Sequence, residues 1–325
     1  MKILFIGDVM LGRLVNQFLK RESPAYPWGD TLPVFKKADL RIGNLECVIS
    51  DRGSPWNVTP KVFHFRSDAK NIETLKIAGI NGVSLANNHT LDFEYEGMFE
   101  MLKILEDAGM GHAGAGANFE EAARPALFEL SGKRIAFIAF TDNEPDWEAT
   151  SERPGVFYVP TDLEDDRAER LFERVRQTRK EVDFLIASAH WGPNWGYRPR
   201  ENQIPFGHRL IDAGADIVFG HSCHVFQGIE LYRGSPILYS TGDFIDDYAV
   251  DDMERNDESF IFLIEISDDK TFRLRLYPTL IRHFQARLAE KNEAKKIALK
   301  MEKLCRELNT TVKWHEEESY LGISF

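Results

Sequence analysis

Short apolar runs rich in β-branched and aromatic residues recur at residues 3–6, 39–42, 82–85, 134–140, 183–187, 216–219, 236–239, 260–266 and 272–276. Runs of this length, bounded by charge, glycine or asparagine, predict mostly buried strands. Between several of them, helical patterns occupy 69–78, 95–108, 163–179 and 203–213, most closing on glycine or a charged turn. The alternation predicts an α/β layered domain. Toward the end, Ala294, Ile297, Ala298, Met301, Leu304 and Leu308 fall at three- and four-residue intervals amid Lys and Glu, which predicts an amphipathic helix packed as a C-terminal prop. Two aromatic stretches rich in Pro and Gly, 24–29 and 191–199, read as loops for packing or ligand contact.

Composition narrows the class. With 325 residues, 43% of them hydrophobic, the chain is near the upper limit for one core. We expect one large domain over 1–282, with a C-terminal helix and tail, 283–325, packing on it. The 52 acidic against 40 basic side chains give a net charge of -12, which opposes phosphate backbones and anionic lipid surfaces and argues against nucleic-acid binding. Gly7 and Asp8 interrupt the opening apolar run, and no later run is long enough to span a membrane, so a cytoplasmic protein is expected. Cys47, Cys223 and Cys305 have no paired spacing, which fits a reducing compartment. No pattern fixes an oligomeric state.

Candidate chemistry collects where the strands end. The first strand runs into Gly7-Asp8, the second into Asn44-Leu45-Glu46, and the third into Asn87-Asn88-His89-Thr90-Leu91-Asp92. Later strands end in His190 and in the pair His221 and His224. Open α/β sheets bind ligands beyond the carboxyl ends of their strands, so carboxylates, amides and imidazoles gathered there point to a divalent metal. Each alone has a plainer reading: Asp8 as a turn former, Asn87 and Asn88 as a turn, a single histidine as a structural residue. A mixed oxygen and imidazole set suits Mn, Zn or Fe, whereas calcium sites are built almost wholly of oxygens. Cys223 reads as a ligand or a small buried filler.

The blocks GDVMLGR, NLEC, LANNHTLD, HAGAGANFEEAARP, HWG, LIDAGADIVFGHSCHV and PILYSTGDF follow one another between Gly7 and about Tyr248. In this order they resemble CapA-type proteins, associated with poly-γ-glutamate capsule synthesis and placed in the calcineurin-like metallophosphatase superfamily. The resemblance implies a four-layer α/β/β/α sandwich whose strand-end loops hold one or two metal ions. It implies Asp8, Glu46, Asn88, His190, His221 and His224 as the ligands, with Glu46 at the bridging position, Asn88, His190 and His221 completing one metal, and Asp8 and His224 the other. His89 is then the mobile acid or an outer-sphere donor, and Asp92 either orients it or caps the following helix. Two departures bear on the metals. Met10 stands where metallophosphatases carry a histidine, and two residues rather than one separate His221 from His224, leaving open which of the two ligates.

Together these features predict a metal-dependent hydrolase for a small-molecule or peptide-like anionic substrate, the superfamily suggesting a phosphoester and the family association a γ-glutamyl bond. Proton abstraction beside a carbonyl is a third chemistry for the same site. Arg13 is the nearest motif cation for an anionic group, or else a surface residue. The alternative function is an accessory protein of capsule synthesis that binds anionic polymer. Asp243, Asp246 and Asp247 are expected beside the site as orienting partners of its histidines, or else as a solvated acidic loop.

Overall fold

A computed structural model describes residues 1–267, 269 and 271–324. Among the described residues the strands form one ten-stranded and one six-stranded sheet, with two small two-stranded ladders. In the larger sheet, Lys2–Val9, Leu40–Leu45, Gly82–Ser84 and Gly111–Ala113 run parallel. On its other side Lys2–Val9 pairs antiparallel with Glu258–Ile266, which leads into Phe272–Arg282, Tyr320–Ser324 and Lys313–His315. In the smaller sheet, Lys133–Thr141, Phe184–His190, Ile217–His221 and Ser235–Leu238 are parallel.

The layers follow from the two-residue period of a strand. Along Lys2–Val9, Ile3 and Phe5 face the smaller sheet, while Leu4 and Ile6 face a separate core shared with Val15, Leu75, Met98 and Met101. Along Lys133–Thr141, Ile135 and Phe137 point into the space between the sheets, while Ala136, Ile138 and Phe140 pack with Leu171, Phe172, Phe206 and Leu210. Both faces of each strand are thus buried, which is why the runs read as nearly continuous apolar stretches. Helices Arg13–Leu19, Ile72–Ile77 and Glu94–Asp107 cover one sheet, and Asp166–Arg179 and Gln203–Ala213 cover the other. The result is the expected α/β/β/α sandwich.

The C-terminal helix, Lys291–Glu307, sends Ile297, Met301, Leu304 and Cys305 into the core between the sheets. It lies across the backbone at Gly228, where an added Cβ would stand 2.6 Å from the Leu304 carbonyl oxygen. Residues beyond 282 also supply strands: Gln285–Leu288 and Tyr320–Ser324 both pair with Phe272–Arg282. No helix of the described residues is long and apolar enough to cross a membrane.

Candidate metal centre

Two glycines bring the strand ends together. A Cβ on Gly7 would stand 1.7 Å from the Gly242 carbonyl oxygen, so only glycine lets the Thr241-Gly242 backbone lie against the first strand, where the Asp8 amide donates to that same oxygen at 2.9 Å. This contact sets Asp243 directly opposite Asp8 in parallel register. In the smaller sheet, a Cβ on Gly220 would meet the Tyr239 carbonyl oxygen at 2.1 Å, and His221 follows. The register there pairs His190 with His221.

From Asp8 an amide relay runs across the larger sheet. Asn44 Nδ2 donates to Asp8 Oδ1 at 2.8 Å, and Asn87 Nδ2 donates to Asn44 Oδ1 at 3.0 Å and to the Leu45 carbonyl at 2.8 Å. Asn87 Oδ1 then accepts from the His89 amide at 2.9 Å. Three strand ends are thereby locked to one another before any ligand is considered. On the smaller sheet, His190 Nδ1 and His221 Nδ1 lie 2.8 Å apart, and Ser188 Oγ is 2.8 Å from His221 Nε2. Two ring nitrogens so placed can share at most one proton between them.

The side chains converge into two sets whose donor atoms all lie within 4.8 Å of one another. One comprises Asp8, His190 and His221; the other comprises Asp8, Glu46, His224 and Asp243. These groups can hold a metal ion, and Asp8 belongs to both sets. His224 is brought there by a turn in which Ser222 and His224 both take positive φ, 112° and 58°, an uncommon conformation for side-chain-bearing residues.

Charge balance supports that use. Asp8 Oδ2, both Glu46 oxygens, Asn88 Oδ1 and Asp243 Oδ2 are buried with no hydrogen-bond donor among the described residues. Unpaired buried carboxylate oxygens are costly, and a bound cation is one way to offset that cost. Burial and the neighbouring carboxylates raise Glu46 and Asp243 well above the usual range, and burial raises Asp8 as well. Burial pushes His221 down to about 3, and burial together with His221 holds His190 well below its ordinary value. Both rings are therefore neutral near pH 7, the form in which imidazole ligates. Burial pushes the Cys223 thiol up to about 12, so it stays protonated, and its Sγ donates to the Val225 carbonyl at 3.1 Å, as a filler would.

Above the cluster opens a cleft of about 490 Å³, lined in part by Asn88, His89, His224, Arg13, Lys61 and Tyr248. His89 Nδ1 meets Asp92 Oδ2 at 2.6 Å, which leaves Nε2, 3.8 Å from Glu46 Oε1, as the free ring nitrogen. Phe65 holds the ring by stacking, centroids 4.0 Å apart, and its own amide donates to Asp92 Oδ2 at 2.7 Å. Lys61, buried over Trp147, donates to the Asn88 carbonyl at 2.6 Å and to Glu144 Oε1 at 3.0 Å, with Asp92 Oδ1 3.5 Å away. Arg13 stands at the mouth, its Nε 3.3 Å from Asp247 Oδ2.

The candidate ligands and catalytic residues thus lie in the cluster or its cleft: Asp8, Glu46, His190, His221 and His224 in the two sets, Asn88, His89 and Arg13 in the cleft lining, and Asp92 behind His89. Met10 is elsewhere. It is buried in the core under the helices, where its Sδ accepts from the Gly12 amide at 3.1 Å. Asp243, expected only to orient a histidine, sits among the candidate ligand atoms while also facing His224 Nδ1 at 2.9 Å. Lys61, Ser188, Tyr248 and the relay through Asn44 escaped the sequence reading. Asn44 opens the NLEC block and Tyr248 lies just past PILYSTGDF, whereas Lys61 comes from a loop whose sequence carries no signal of its placement.

The sequence matches the model of the bacterial capsule synthesis protein PGA_cap family over residues 2–248. Among curated relatives, a probable polyglutamine synthesis accessory protein of Mycobacterium tuberculosis is 35% identical, the match covering 76% of this chain and 74% of that protein. The PGA biosynthesis protein CapA of Bacillus subtilis (strain 168) is 27% identical over 98% of this chain and 80% of its own length. The capsule biosynthesis protein CapA of Bacillus anthracis is 28% identical over 85% of this chain and 66% of its own. With the matched segment running from the first strand through Asp243 and Tyr248, the chain belongs to the bacterial PGA_cap capsule synthesis family.

Proposed function

We propose that this chain is a metal-dependent hydrolase acting on a phosphoester or on a γ-glutamyl or other peptide-like bond. The observation that carries the reading is the pair of ligand sets sharing Asp8, with unpaired carboxylate oxygens and neutral imidazoles, at the floor of a cleft that also holds the His89–Asp92 pair. Asp8, His190 and His221 would hold one divalent ion, and Asp8, Glu46, His224 and Asp243 another, with Asn88 Oδ1 as a further donor. This moves the shared carboxylate from Glu46 to Asp8. Mn, Zn or Fe fits such a mixed set, and supplies Lewis acidity toward a phosphoryl or carbonyl oxygen and toward water.

The protein's own part is positional and protic. With Nδ1 engaged by Asp92, the neutral His89 ring accepts at Nε2 the proton released by the attacking water and hands it to the departing oxygen or nitrogen as that bond to the reacting centre breaks, while the Asp92 carboxylate stabilises the transient imidazolium. The amide relay through Asn44 and Asn87 keeps Asp8 and His89 in fixed relation.

A role in poly-γ-glutamate synthesis is supported by the names of the relatives, and one of those names, an accessory protein, favours a second reading in which the site serves recognition rather than turnover. Assays of nitrophenyl phosphoesters and γ-glutamyl peptides with Mn-, Zn- and Fe-loaded protein separate the two. Turnover that vanishes on chelation and in Asp8→Ala supports the hydrolase. Absence of turnover for both bond types in metal-loaded protein favours the accessory role.

A further inference from the structure

The walls of the cleft carry information about what it binds. Pro60, Val62, Phe63, Trp195, Tyr248 and Ala249 contribute apolar surface around its opening. Three of these are large apolar side chains left in water: Val62 is 84% exposed, Phe63 57% and Trp195 46%. Isolated exposed apolar residues are ordinary, but these come from two separate loops and border one opening beside the candidate metal cluster. The Trp195 ring lies 5.8 Å from that of His224, so the apolar surface is continuous with the site.

The two basic side chains among the residues lining the cleft are already matched. Arg13 faces Asp247 at 3.3 Å, and Lys61 faces Glu144 at 3.0 Å and Asp92 at 3.5 Å. A polyanionic chain lying in this cleft would meet, among the described lining residues, two basic side chains, each already facing a carboxylate. A neutral donor also stands there. The Tyr248 hydroxyl is buried with no partner among the described residues, on a ring 5.3 Å from that of His224. A buried hydroxyl without an acceptor is uncommon and has a natural use as a donor to a ligand oxygen.

We infer that the cleft binds a compact anionic group bearing an aryl or similarly flat apolar substituent, the anionic head meeting the Tyr248 hydroxyl and the substituent lying against Phe63 and Trp195. The inference rests on the hydrolase reading only for the anchoring of the head at the cluster. It narrows that reading to substrates with one charged head rather than an extended polyanion.

The test titrates Mn-loaded protein with phenylphosphonate, methylphosphonate and a short poly-γ-glutamate oligomer, reading heat and tryptophan fluorescence, with metal content measured on the same samples. Phenylphosphonate should bind at least about tenfold more tightly than methylphosphonate, a margin that stacking and burial of one ring readily supply. Trp195→Ala should remove most of that preference, and Tyr248→Phe should weaken both phosphonates alike while the metal content stays unchanged. Equal affinity for the two phosphonates overturns the inference, as does failure of both to bind. Binding of the oligomer more tightly than phenylphosphonate, undiminished in Trp195→Ala, overturns it as well. Failure of the protein to take up metal is a separate result that overturns the hydrolase reading.

Discussion

The same residue type serves opposite ends at the two edges of the sheets. Asp39, Asp183 and Asp216 each stand immediately before a strand, and each accepts a backbone amide of the neighbouring strand at 2.8 Å, from Lys2, Arg134 and Leu185 in turn. Asp216 is further matched by Arg179 at 2.9 Å. At the edge where the first two strands finish, Asp8, Glu46 and Asp243, the last opening a short strand laid beside Asp8, are buried with oxygens that no donor among the described residues meets. Carboxylates at the starts of strands close the fold's own hydrogen bonds. Those at the finishing edge leave unpaired oxygens concentrated at one place, among groups that could hold a cation.

That contrast can be broken most severely at a ligand. His221→Ala should lose metal and turnover together, because His221 lies within one ligand set and the change removes its donor atom. Elemental analysis and rate on the same preparation check this. His89→Ala should keep its metal and lose about 100- to 10,000-fold in turnover, the usual effect of removing an acid or base. Equal metal loss in the two variants would make His89 a ligand instead. Asp92→Ala should cost less turnover than His89→Ala, since Asp92 acts through the ring it orients.

The contrast is sharpened by treating the two kinds of carboxylate alike. Asp243→Asn should weaken metal binding by about 10- to 100-fold, in the range seen when a histidine's carboxylate partner is lost, and by more if Asp243 ligates directly. Asp216→Ala should leave metal binding intact and cost about 1–3 kcal/mol of folding stability, the penalty for stranding the Leu185 amide. Chemical denaturation and metal titration of both variants should therefore show opposite patterns. The smallest effect is a pH dependence. Burial pushes Asp246 up to about 6, and burial together with the Asp246 carboxylate raises Asp243 as well, so near that pH Asp246 is part-protonated and its proton opposes a cation beside it. Metal affinity should accordingly rise as pH climbs through about 6, with proton release measurable in weakly buffered solution.

Much of this edge was legible because a strand buried on both faces is a nearly unbroken apolar run. The polar residue that ends it is conspicuous, as with Asp8 after residues 3–6 and His221 after 216–219. The layered sandwich was legible for the same reason. Less visible was the part that depends on chain segments meeting from afar. Asp243 joins the ligand atoms because Gly7 has no side chain to keep the Gly242 backbone away, a contact between residues far apart in sequence. Lys61 reaches Asn88, Asp92 and Glu144 from a loop whose path no periodicity specifies. Met10 reads as a replaced ligand in a motif, yet it lies just past the first strand and is buried with Val9 and Leu11 in the helix-side core. Sequence pattern shows which faces are buried; it does not show which loop closes over a site.

The unpaired carboxylates at the finishing edge are placed to hold a metal. The most direct test is the stoichiometry of Mn, Zn or Fe bound to purified, metal-loaded protein, by elemental analysis and calorimetric titration, beside the Asp8→Ala variant. Because Asp8 belongs to both ligand sets, the wild type should bind one or two ions per chain and the variant should retain none. A wild-type protein that takes up no divalent metal, or a variant that binds it undiminished, would contradict the account.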